Sequence, residues 1–212
     1  MKVLLVSAHA DDAETSCGGT VARLKRESRD NDIFWGEDEE NVVWSIYFCD
    51  CPIEGHLEQH REVCKSFGID RLIEYRYHGD VLEEYKQEIR DILFKLRGEF
   101  QPDVVFCPSL SDMHQDHRVI AECCLTIFRD TSTILGYEVL RSVGSDFKSN
   151  FYIILTKEDV EKKLNALSLY KAQIKRNFWF SNEAFKAQLV VRGVEAKTLF
   201  AEAFDLIRGR IK

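Results

Sequence analysis

The chain lacks any apolar run approaching the ~18 residues of a membrane-spanning helix. It lacks an excess of positive charge. Its 29 Lys and Arg against 36 Asp and Glu leave a net charge of −7, which argues against a polybasic surface for nucleic acid or lipid. The N-terminus has no basic stretch leading into a long apolar one, so no secretory leader is expected and a cytoplasmic location is. No C-x-x-C occurs. The cysteines number seven, an odd count, and read as reduced thiols, mostly small buried hydrophobes. No G-x-G-x-x-G occurs either. No repeat, low-complexity segment or linker is visible, and 212 residues suit one domain spanning 1–212.

What is present is an alternation of apolar strands and amphipathic helices. Lys2 to Val6 reads as a buried strand, and it stops at His9, Asp11 and Asp12. Gly18 and Gly19 follow, and a helix is expected from the spacing of Val21 and Leu24. Residues 42–49 form a second apolar strand, and 54–67 a helix closed by Gly68. Residues 72–77 form a third strand. Helical spacing then runs from Val81 to Arg97 and is expected to stop at Gly98. The 103–107 strand leads into Asp112, His114, Asp116 and His117, and a helix follows through Val119, Ile120 and Cys123. Residues 27–41 read as a solvated acidic loop. This β-α order predicts a Rossmann-like three-layer α/β/α sandwich with a mostly parallel sheet.

Beyond that point, 132–140 is a strand and 150–156 an edge strand. Thr156 and Asp159 outline a capping box that opens one long helix ending near Arg176. Residues 185–191 are helical, and 200–204 returns toward the sheet. Phe178, Trp179 and Phe180 could roof a pocket or join a homo-oligomer contact, with core packing the plainer reading.

Two separate strands each deliver His and carboxylate at their carboxyl ends. Packing alone explains that poorly, because isolated buried His and Asp are destabilising unless paired or metal-bound. In an open α/β sheet this is also the end that binds ligands.

Ala8-His9-Ala10-Asp11-Asp12, then Ser16-Cys17-Gly18-Gly19-Thr20, resembles the A-H-P-D-D and G-C-G-G-T motifs of the PIG-L/LmbE-like zinc de-N-acetylases. Their second motif, H-x-D-H after a P-D-x-V strand, is matched by His114-Gln115-Asp116-His117 after Pro102-Asp103-Val104-Val105. Ile134-Leu135-Gly136-Tyr137-Glu138 and the 162–173 and 192–204 segments extend the likeness over nearly the whole chain, closest to polysaccharide-biosynthesis members. Ala10 stands where the family has Pro and Ser16 where it has Gly. Asp112 stands where some members carry a helper tyrosine, so that role does not transfer. Arg61 falls out of register with the family's Arg-x-x-Glu helix and receives no role.

The resemblance implies removal of acetyl from an N-acetylated amino sugar or glycoconjugate, a small molecule rather than nucleic acid. It implies His9, Asp12 and His117 as metal ligands, with zinc or ferrous iron and an open fourth position. Asp11 is then the general base. His114, in its protonated form, supports the oxyanion and protonates the leaving amine, with Asp116 orienting it or backing a ligand. Asp112, Glu138 and Arg192, together with His78 and Asp80, are candidate substrate contacts. His56 and His60 stand i,i+4 on a helix, a spacing that can bind metal but more often marks a solvated face. The competing reading is a catalytically idle sugar- or nucleotide-binding protein on the same fold.

Overall fold

A computed structural model of the chain describes residues 1–30 and 41–210, so most of the expected acidic loop lies outside the described residues. β1 (Lys2–Ser7) runs into α1 (Asp12–Asp30), followed by β2 (Val42–Cys49), α2 (His56–Phe67) and β3 (Arg71–Tyr77). A 3-10 turn (Leu82–Tyr85) leads to α3 (Lys86–Phe100), β4 (Val104–Pro108), α4 (Gln115–Phe128) and β5 (Thr133–Tyr137). β6 (Phe151–Ile154), α5 (Lys157–Leu167), α6 (Lys171–Arg176), α7 (Asn182–Glu195) and β7 (Ala201–Arg208) complete the order.

The strands form one seven-stranded sheet ordered β3-β2-β1-β4-β5-β7-β6. Only β7 runs against its neighbours, pairing antiparallel with both β5 and β6. β1 is central and apolar, with Val3 to Val6 wholly buried, because helices cover both faces of a parallel sheet. One core joins α1, α2, α5 and α7 to one face through residues such as Val21, Phe67, Leu167 and Phe185. The other joins α3 and α4 to the opposite face through Leu93, Leu96, Ile120 and Phe128. This is the expected α/β/α sandwich. The crossovers leave β1 toward β2 and return from β3 to β4 on β1's other side, so the strand order reverses between β1 and β4. Their carboxyl ends face one crevice, where ligands of open α/β sheets bind.

Three elements differ from the sequence expectation. α1 begins at Asp12, so Gly18 and Gly19 lie inside the helix rather than before it. They are there for close approach. A Cβ on Gly18 would fall 2.7 Å from Phe67 Cζ, and one on Gly19 2.4 Å from Leu155 Cδ1 and 2.9 Å from Glu202 Oε1. Gly19→Ala should therefore destabilise the fold by about 1–3 kcal/mol, overpacking outweighing the ~1 kcal/mol helix-propensity gain of Ala. An unchanged or raised denaturation midpoint would contradict this.

α3 runs through Gly98 to the buried Phe100, and Gln101 supplies the left-handed cap at φ 53. The expected long helix after Thr156 keeps its capping box but breaks into α5 and α6. The break turns Tyr170 into the core and brings Gln173 to the crevice. The aromatic triplet splits as well, with Phe180 buried in the core and Phe178 98% exposed. No helix among the described residues is long and apolar enough to cross a membrane.

Candidate metal centre

The loop after β1 and the first turn of α4 bring three ligand atoms together. His9 Nδ1 lies 3.3 Å from His117 Nε2 and 3.4 Å from Asp12 Oδ2. His117 Nε2 lies 3.3 Å from Asp12 Oδ2, which closes the triangle. Ligands 2.0–2.1 Å from a tetrahedral zinc stand about 3.3–3.4 Å from one another. The triangle is thus one face of such a tetrahedron, with the fourth corner free, and two imidazoles with one carboxylate are a donor set that suits zinc or ferrous iron.

Both imidazoles are braced from behind. His9 Nε2 faces Asp116 Oδ2 at 3.3 Å, and His117 Nδ1 faces Asp112 Oδ2 at 3.0 Å. A carboxylate on the far nitrogen fixes the tautomer and leaves the near nitrogen free to ligate. Asp116 is wholly buried and also accepts the backbone N–H groups of Asp80 (2.7 Å) and Leu82 (3.1 Å). Although burial works against its charge, these donors and His9 hold its carboxyl down at about 2. Of the two roles expected for Asp116, the geometry matches backing a ligand, not orienting His114. Asp112, expected to touch substrate, is instead 1% exposed and shared between His117 and the Ser142 hydroxyl (3.1 Å). These partners take up its carboxylate, which leaves little of it for a substrate.

The electrostatics call for a cation. Burial lowers the basicity of His117, but the Asp12 charge and the Asp112 hydrogen bond overcome it and hold the ring up at about 9. His9 is likewise raised against burial by Asp12 and Asp116. Asp12, despite burial, is held well below the usual carboxylate range by His117 and His9. Below about 9 a proton occupies the His117 imidazole that a metal needs neutral, and the raised basicity of His9 acts in the same direction, so metal binding must displace protons. Zinc affinity of metal-stripped protein should therefore rise with pH from neutrality and level off above about 9; a titration at stepped pH with no such rise would contradict the assignment.

Asp11 sits between two ligands with its backbone at φ 128, a strained conformation for a residue with a side chain. That twist lets Asp12 turn toward the metal position while Asp11 turns elsewhere. Its Oδ2 accepts from Gln173 Nε2 at 2.6 Å and lies 3.7 Å from His56 Nε2. Burial, then the neighbouring Asp12 charge, raises its carboxyl well above the ordinary range.

His114 caps α4, its Nδ1 accepting the Asp116 backbone N–H at 3.2 Å. Its ring stacks on His117 with centroids 4.7 Å apart and meets His9 edge-on at 4.8 Å. Its Nε2 is 3.6 Å from Asp80 Oδ1. Burial and the charges of His117 and His9 lower its basicity. With Nδ1 committed as an acceptor, the ring is suited to be a neutral Nε2–H donor, in contrast to the protonated form expected above.

Asp80 thus adjoins the centre, and a Cβ on Gly79 would lie 4.0 Å from His9 Nε2. His78 stays on the exposed side, its ring on the Gly79 carbonyl at 2.7 Å. Glu138 and Arg192 pair with each other in a two-pronged contact (2.7 and 2.6 Å), and Glu138 is tied to α1 through its carbonyl and Ser16 Oγ at 2.8 Å. His56 and His60 are not on a solvated face; each is 1% exposed. His56 Nε2 meets the Ala10 carbonyl at 2.5 Å, bracing the loop that carries Asp11. The sequence offers His56 only as half of an i,i+4 pair with His60, not as a brace for the Asp11 loop, and gives no role to Gln173, which lies 162 positions from its partner.

Comparison with known proteins places this site in a family. A curated protein of Escherichia coli (strain K12), the uncharacterized deacetylase YaiS, is 26% identical over 180 residues, covering 80% of this chain and 90% of that protein. Two solved structures share the fold. The N,N'-diacetylchitobiose deacetylase from Pyrococcus horikoshii matches with a TM-score of 0.72 at 20% identity, covering 96% of this chain and 82% of its own. GalB, the 4-carboxy-2-hydroxymuconate hydratase from Pseudomonas putida KT2440, matches with a TM-score of 0.75 at 14% identity, covering 100% and 98%. The fold alone therefore leaves the reaction open. The family model of the GlcNAc-PI de-N-acetylases matches residues 4–128, a span that runs from β1 to the end of α4 and holds all three ligand candidates, and the chain belongs to this PIG-L family.

Proposed function

We propose that this chain is a metal-dependent N-deacetylase that hydrolyses the acetamide of an N-acetylated amino sugar or its conjugate, releasing acetate and a free amine. The observation that carries it is the convergence of His9, Asp12 and His117 next to the buried Asp11 carboxyl, which burial and the Asp12 charge hold above its ordinary range. The deacetylase relatives and the family description support the reading. Zinc or ferrous iron is the metal of this reading, and it would supply Lewis acidity that polarises the amide carbonyl and acidifies a water.

The chain's own groups do the rest. Asp11 accepts the proton of the attacking water at Oδ, the oxygen that Gln173 orients. Its raised basicity suits it to give that proton back to the leaving nitrogen. His114 Nε2–H donates to the oxyanion as it forms; a neutral ring serves, since it stabilises charge without transferring a proton. Asp116 and Asp112 hold His9 and His117 in the ligating tautomer. The Glu138–Arg192 pair is a candidate wall for sugar hydroxyls, where charged partners bind neutral hydroxyl groups well.

The test is an acetate-release screen over N-acetylhexosamine conjugates, including N-acetylglucosamine linked to lipid and to nucleotide. Acetate release that chelation abolishes and zinc or ferrous iron restores supports the reading. Tight sugar or nucleotide binding that survives chelation, without acetate release, would favour an idle binding protein. Hydration of an unsaturated carboxylate without acetate release would favour chemistry like that of GalB.

A further inference from the structure

A second cluster of ligand-type side chains lies behind the site, between α1 and α2. Glu14 on α1 and His60 and Cys64 on α2 are 1%, 1% and 3% exposed. Cys64 Sγ is 3.6 Å from His60 Nε2 and 3.7 Å from Glu14 Oε1. A thiolate about 2.3 Å from zinc and nitrogen or oxygen ligands at 2.0–2.2 Å stand about 3.5–3.7 Å apart around a tetrahedral ion.

His60 and Cys64 are four apart on one helix, which puts both side chains on the same face. His60 Nδ1 is held at 2.7 Å by the Tyr170 hydroxyl, the kind of outer contact that orients a ligating imidazole. Ser45 Oγ reaches Glu14 Oε1 at 3.4 Å. The other carboxylate oxygen, Glu14 Oε2, is buried with no hydrogen bond among the described residues, its nearest charged-type neighbour being His60 Nδ1 at 3.8 Å. A buried carboxylate oxygen left without a donor is destabilising, and a cation held by the same carboxylate through Oε1 would offset that.

We infer that Glu14, His60 and Cys64 form a second, fully buried metal site, distinct from the catalytic triangle and suited to a thiophilic divalent cation such as zinc. A divalent ion balances the carboxylate and the thiolate around a neutral imidazole. Burial already keeps His60 in that neutral form. The Cys64 thiol, pushed well up by burial, gives its proton to solvent as the metal–sulfur bond forms. The site clamps α2 to the first turn of α1, two residues past Asp12. It is therefore structural: it fixes the helix start that presents Asp11 and Asp12, and it takes no part in turnover.

The test loads the metal-stripped full chain with Co²⁺ or Zn²⁺ alone. Cys49 lies within ligand reach of His9 and Asp116, so a near-ultraviolet cobalt–thiolate absorption band is assigned to the second site by its loss in Cys64→Ser and its persistence in Cys49→Ser. Two equivalents per chain are expected. Cys64→Ser should lose the band and one equivalent while keeping the second. His117→Ala should lose one equivalent and keep the band, and His60→Gln should weaken the band in protein whose circular dichroism is native. A native chain that takes up a single equivalent with no band, or a band that survives Cys64→Ser, would overturn the second site without touching the catalytic one.

Discussion

Replacing Asp11 with asparagine should lower acetate release by about 10²–10⁴-fold, the range over which a positioned general base contributes. The substitution is nearly isosteric. An asparagine carbonyl can still accept the Gln173 amide that Asp11 Oδ2 accepts at 2.6 Å. What it cannot do is take a proton from water or return one to the amine. Asp11 is not among the three converging ligand atoms, so the metal content of the variant should match that of the native chain. Burial and the adjacent Asp12 charge raise the basicity of Asp11, the direction that the proposed base role needs. Gln173→Leu should produce a smaller loss in the same direction, because it removes the orienting donor and leaves the carboxylate. Asp11→Asn activity within about tenfold of native, or loss of metal in that variant, would reverse the roles assigned to Asp11 and Asp12.

Lys163→Met should be the most destabilising single substitution outside the site, at about 3–5 kcal/mol. Lys163 Nζ is 1% exposed at the side-chain level and bonds Glu202 Oε1 at 2.7 Å inside the core. Glu202 also accepts the backbone N–H groups of Gly19 (2.8 Å) and Thr20 (2.7 Å) and the Thr20 hydroxyl (2.6 Å). Without Lys163 the carboxylate stays buried as an uncompensated charge. Glu202→Gln in the Lys163→Met background should recover part of the loss, since it removes the buried charge and its single amide oxygen still accepts the Thr20 donors. A denaturant midpoint unmoved by Lys163→Met, or a double variant no more stable than the single, would show that the pair does not carry this energy.

The sequence is most legible where chemistry and local pattern coincide. β1 and β4 announce themselves as apolar runs, and His9, Asp12 and His117 stand in the loops and helix starts that follow them. The parallel sheet follows from β-α alternation alone. The parts that escape a linear reading depend on partners far along the chain. Gly18 and Gly19 look like a turn, yet they sit mid-helix, where Phe67 approaches Gly18 and Leu155 and Glu202 approach Gly19. The break between α5 and α6 has no glycine or proline to mark it; burial of Tyr170 decides it. Asp112 and Asp116 carry the same chemistry as substrate-facing acids, and only the direction of each carboxylate shows that they brace imidazoles. His60 and Cys64 look like one polar and one apolar helix position until Glu14 is seen between them.

The central claim is that one divalent cation sits where His9, Asp12 and His117 converge. The most direct measurement is an anomalous-scattering map of zinc-loaded crystals collected at the zinc absorption edge. A peak about 2.0–2.2 Å from His9 Nδ1, Asp12 Oδ2 and His117 Nε2, absent in His117→Ala crystals, is the predicted result. A map with no peak at that point, or a peak there that persists unchanged without His117, would contradict it.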